Sequence, residues 1–198
     1  MTSSLTQTGG GARIGAAGLV FAGLICQEVG AAIAIRLFPA VGSTGMVFLR
    51  LAFSAAILLL IARPRLRQRS ARDWVTVVGF GLTLTCMNAL FYASVATLPL
   101  GLAVTIELLG PLVLSVVADR RPSGWMLALL AFAGVALLGW SSLAGDIHWW
   151  GIPLAAGAGT MWVGYILLSA RTGRRWARLD GLAIAMTVGT VAISPLGI

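Results

Sequence analysis

Long apolar runs broken by short polar clusters set the pattern of this chain. Residues 122–145 and 147–170 carry no charge, and either run exceeds the roughly 20 residues a helix needs to cross the bilayer core. The run 74–118 holds a single charge, Glu107, and is long enough for two spans separated by a tight turn at Thr97-Leu98-Pro99-Leu100. With 15–37, 41–62 and 180–198, the pattern predicts seven transmembrane helices and an all-α integral membrane fold. The first of these runs is followed at once by further spans, so it reads as a retained helix and not as a cleaved signal. The polar, Gly/Ser/Thr-rich head reads as a disordered cytoplasmic tail over residues 1–13.

Composition supports the pattern. Only 10% of residues are charged, against about a quarter in a soluble domain. The net charge of +8 raises the question of a nucleic-acid partner, and the placement of the charge answers it. All 14 basic residues are arginine. Twelve of them gather at Arg13, at 63–72, at Arg120 and Arg121, and at 171–178, alternating with the arginine-free segments 38–45, 98–100 and 145–150, while Arg36 lies just before the first of these and Arg50 inside a predicted span. With the N-terminus in the cytoplasm, each rich segment falls inside, as the positive-inside rule requires. No aromatic-interleaved basic face accompanies them, so nucleic acid is excluded as a partner and anionic membrane lipids are expected to be one.

Catalytic and cofactor chemistry find little support. No nucleophile–base pair appears, no cluster of ligating side chains has metal spacing, and no cofactor motif is present, so an enzyme is the least favoured class. His148 stands beside Trp149 and Trp150 at an expected outer interface, where an aromatic belt explains it.

Away from the span ends, three charged side chains fall inside the spans: Glu28, Arg50 and Glu107. Such groups are costly in lipid and face a partner or a water-filled cavity. Counted from the nearest predicted outer end, Glu28 lies about 13 Å deep, Arg50 about 10 Å, Glu107 about 12 Å and Asn88 about 13 Å. Four helices thus contribute to one polar layer. Glu28 and Arg50 stand equally as a structural ion pair and as functional groups. Asn88 reads first as glue between helices, and Tyr92, Trp162 and Tyr165 read as packing or cavity lining. Pro111 has no N–H to give, which frees the carbonyl of Glu107 four residues back, and Gly110 permits close backbone approach. Broken helices at this depth are typical of transporter binding sites. Ala156, Thr160 and Gly164 recur at four-residue spacing and predict a close-packing stripe.

Four segments carry a family likeness: "FPAVGSTGMVFLRLAFSAAILL" (38–59), "RPRLR" (63–67), "MNALFYASVATLPLGLAVTIELLGPL" (87–112) and "GAGTMWVGYILLS" (157–169). In order and spacing they resemble the threonine/homoserine exporter branch of the drug/metabolite transporter superfamily, built from the EamA repeat. The resemblance implies inner-membrane export of small neutral amino acids by proton exchange, with ten helices in two inverted five-helix repeats. Glu107 and Pro111 match the family's fourth-helix landmark, and Glu28 departs from the family pattern. On this reading residues 14–145 form one repeat and 146–198 the first two helices of the second. Helices 8 to 10 are then missing, so a longer chain, a completing partner such as a second copy, or a non-transporting protein all stand as readings. Export of another metabolite or drug is the alternative within the same class.

Overall fold

The computed structural model describes residues 9–64, 66, 69–118, 122–140, 148–177 and 179–197. Six helical elements follow one another: α1 (Gly9–Ala62), α2 (Ala71–Val95), α3 (Leu100–Ala118), α4 (Pro122–Trp140), α5 (Gly151–Arg175) and α6 (Asp180–Gly197). No strand occurs among the described residues. The seven predicted helices are all present, because α1 is two helices joined directly at Gly42. Gly42 adopts φ 70° and ψ 171°, a conformation that glycine enters without steric cost, so this break needs no loop. Pro39–Ala62, α2, α3 and α5 are long and apolar enough to cross a membrane. The chain is a multi-pass helical membrane protein.

It divides into two compact units, Met1–Ala40 and Val41–Ile198. In the first, α1 begins at Gly9, inside the stretch that the sequence reads as a tail, and residues 1–8 lie outside the described residues. Glu28 belongs to this unit, and its side chain also lies outside the described residues.

In the second unit α5 is central, packing along both α2 and α3, while α2 also packs along α6 and α3 along α4. The contacts of α2 with α6 depend on residues that lack bulk. A side chain at Gly81 would meet the Ala185 carbonyl oxygen at 2.5 Å, and one at Gly189 would strike the Thr85 hydroxyl. Small residues of this kind let two backbones approach, which is how helices gain van der Waals contact where lipid supplies no hydrophobic drive. Val77, Phe80, Trp176, Ile184 and Ala185 form a buried cluster, with Tyr165 packed against it. Tyr165 also lies 5.4 Å from Phe80, ring centroid to ring centroid, so its place is in packing.

The predicted end of the span over 147–170 needs correction. Helix α5 continues to Arg175, carrying Arg171, Arg174 and Arg175 on its last turns. An uncharged-run criterion stops at the first charge, whereas arginine is a good helix former and its cation complements a helix C-terminus. Helix α4 ends at Trp140, and 141–147 lie outside the described residues.

Both ends of the second unit are tied. At one, the His148 N–H donates to the Thr97 carbonyl at 3.1 Å, and Leu98 packs with Ala103 and Ala155. At the other, Ser70 and Asp73 form a capping box at the start of α2. Arg175 pairs with Asp73 at 3.0 Å, and Arg69 donates to the Arg175 carbonyl at 3.1 Å while its guanidinium lies 4.5 Å from the Trp176 ring centre. Ser70→Ala leaves the Asp73 N–H without its cap. The expected result is a loss of about 1 kcal/mol, read as a lower midpoint in thermal unfolding in detergent.

Candidate functional site

The site is built by register. The chain leaves α2 at Val95 and turns over Thr97-Leu98-Pro99, where the Thr97 and Leu98 N–H groups donate to the Ser94 carbonyl at 3.0 and 2.8 Å. Pro99 then accepts from the Leu102 and Ala103 N–H groups at 3.0 and 3.1 Å, which starts α3. Because His148 is bonded to Thr97, α3 and α5 begin side by side and run in the same direction. At 1.5 Å per residue, Glu107 lies roughly 10 Å from the start of α3 and Gly159 roughly 12 Å from the start of α5. They meet for that reason.

At this level the two backbones touch. A Cβ added at Gly159 would lie 2.5 Å from the Glu107 carbonyl oxygen, and one added at Gly110 would run into the Gly159 carbonyl, whose carbon is 2.5 Å away. The carbonyl that Pro111 deprives of its helical N–H is therefore turned onto the glycine backbone of α5. A Cα–H group facing a carbonyl in this way supplies a weak bond, common at helix–helix crossings. Helix α3 runs through Pro111 without ending, and Glu107 itself is only 7% exposed.

The other residues singled out from sequence fall as follows. Asn88 is buried and donates its amide to the Leu84 carbonyl of its own helix at 2.8 Å, so the bond it makes is local and does not join two helices. Arg50 donates to the Tyr92 hydroxyl at 3.0 Å, which links the second limb of α1 to α2. Tyr92 is 1% exposed, so this phenol is a fixed anchor for the guanidinium. Tyr92→Phe is expected to cost at least about 1 kcal/mol of stability, the worth of the partly buried hydrogen bond to Arg50 alone. A double-mutant cycle with Arg50→Gln measured by thermal unfolding tests it, the coupling vanishing if the pair carries no energy.

The stripe of Ala156, Thr160 and Gly164 is not the packing seam. Ala156 and Thr160 are exposed and, with Ile106, Gly110, Val113 and Val163, line an open cleft of about 440 Å³ between α3 and α5. The buried residues are Ala155, Ala158 and Gly159, one position away on the helix. Gly164 faces Thr83 of α2, at 3.0 Å from where its side chain would be. Sequence reasoning missed Gly159. Its signal was the "GAG" at 157–159, which gives two helix faces the same small residues and leaves the choice between them open.

Relatives with names were found among curated proteins. The threonine/homoserine exporter RhtA of Salmonella typhimurium is 34% identical over 171 residues, 86% of this chain and 58% of its own. That of Escherichia coli is 34% identical over 169 residues, 85% of this chain and 57% of its own. The chain is a homologue of the threonine/homoserine exporters. It spans somewhat over half the length of these relatives. No protein-family model matches the chain, and no solved structure matches it.

Within that relationship, the described site gathers Glu107, Gly110 and Pro111 at the crossing with α5, and places Asn88, Tyr92 and Arg50 on the neighbouring α2 and α1. Asn88 lies seven residues before the end of α2, roughly 10 Å from the same end as Glu107.

Proposed function

We propose that the chain belongs to an exporter of small neutral amino acids of the threonine/homoserine type, working by proton exchange in a bacterial inner membrane with its N-terminus in the cytoplasm. Residues 14–145 make one five-helix repeat and 146–198 begin an inverted second one. The names of the relatives support the substrate class, and the arginine distribution supports the orientation.

The observation that carries the reading is Glu107, a carboxyl-bearing side chain buried within an apolar helix where α3 meets α5. A zwitterionic amino acid needs an acceptor for its ammonium group and a cation for its carboxylate. Away from the helix ends, the second unit offers Glu107 for the first and the Tyr92-anchored Arg50 for the second. Glu107 holds a proton in one half of the cycle and the substrate's ammonium in the other. A buried site tolerates one cation at the carboxylate and excludes two, so occupancy by either expels the other.

The test is efflux from cells preloaded with labelled threonine, homoserine or a lipophilic cation, with and without a protonophore. Threonine and homoserine efflux that stops when the proton gradient collapses is the expected result. Efflux of the lipophilic cation alone overturns the substrate class, and efflux indifferent to the gradient overturns proton exchange.

A further inference from the structure

At the arginine-rich end of the second unit, the first turns of α2 and the last turns of α5 enclose a cleft of about 700 Å³, lined by Arg72, Val75, Thr76, Arg171, Arg174 and Arg175 among others. That volume falls within the range of small-molecule sites, about 300–1,000 Å³. Of its four guanidinium groups, Arg175 is paired with Asp73. Among the described residues no carboxylate pairs with Arg72, Arg171 or Arg174. Three like charges sharing one cleft repel one another unless an anion lies between them, and the planar fork of arginine matches the oxygens of a phosphate.

Below the arginines the cleft is lined by Val75 and by Thr76, whose hydroxyl is turned back onto the Arg72 carbonyl of its own helix. On α5, Leu167, Arg171 and Arg174 follow at four- and three-residue steps and share one face. On α2, Arg72, Val75 and Gly79 do the same. Val75 is 73% exposed and Leu167 is also exposed, so a cationic mouth continues into an open apolar track between the same two helices. A free anion uses the mouth and leaves the track bare, whereas an amphiphile with an anionic head covers both.

We propose that this cleft is a binding site for an anionic phospholipid, its phosphate held by Arg72, Arg171 and Arg174 and its acyl chain lying along Val75 and Leu167. Three cations without a carboxylate partner among the described residues favour a headgroup with two phosphates over one with a single charge. The site is remote from Glu107 and does not rest on the transport reading.

The full chain, purified in detergent, is exposed to diphosphatidylglycerol, phosphatidylglycerol or phosphatidylcholine, and retained lipid is counted by native mass spectrometry. Retention is expected to fall in that order. In Arg171→Gln/Arg174→Gln, retention of diphosphatidylglycerol drops roughly thirtyfold, from two cations near a lipid surface, and in Arg63→Gln, outside the cleft, it holds. Lipid-induced thermal stabilisation, measured on Arg174→Gln alone, gives the same ranking should the double variant not fold. Equal losses in the cleft and control variants overturn the site. Displacement of the lipid by inorganic phosphate at matched concentration overturns the lipid as its ligand.

Discussion

Gly159→Val is expected to separate α3 from α5. The volume the new side chain requires is already filled by the Glu107 carbonyl oxygen and is bordered by the Glu107 Cα and carbonyl carbon at 3.3 Å. These are backbone atoms and have no rotamer by which to yield. Overpacking where side chains give way costs about 1–3 kcal/mol. Here relief requires moving a whole helix, so the loss is expected to exceed about 3 kcal/mol. Gly110→Val attacks the same crossing from the other side, against the Gly159 carbonyl. Both variants are compared with Gly173→Val, at a position on α5 with open space around its missing side chain, by thermal unfolding in detergent. Similar midpoints for Gly159→Val and Gly173→Val would contradict a backbone-to-backbone crossing.

Glu107→Gln is expected to abolish coupled export while the protein folds. Glutamine keeps the size and the hydrogen-bonding capacity of the side chain but neither gains nor loses a proton, and it offers an ammonium group no charge. Removing one member of a buried charge pair costs about 2–5 kcal/mol, so affinity for the substrate's ammonium falls at least roughly thirtyfold. Glu107→Asp, which keeps the charge on a shorter stem, retains part of the activity. The readout is threonine efflux under an imposed proton gradient, alongside a thermal unfolding midpoint for each variant. Gradient-driven efflux at the wild-type rate in Glu107→Gln would falsify the exchange role of this carboxyl, and a collapsed midpoint would assign Glu107 to folding.

Much of this protein is legible in one dimension. Seven apolar segments, the turn at 97–100 and a buried Glu107 followed by Pro111 are all visible, because lipid imposes a length and a composition on every span and makes each embedded charge conspicuous. The ends of spans are less visible. Arginine is as compatible with a last helical turn as with a loop, and α5 therefore extends past the first charge it meets.

What the sequence determined by itself is therefore the number and composition of the helices and which residues cost energy to embed. The tertiary structure decided the partners. Gly159 rather than Thr160 meets α3, since one step along a helix turns a residue by about 100° and only packing selects the face. Asn88 bonds to Leu84 of its own helix, and Arg50 to Tyr92, because the donors of a long side chain find whichever acceptor the fold brings within reach. Those choices depend on distances between segments far apart in the chain, and the spacing of residues along it holds no record of them.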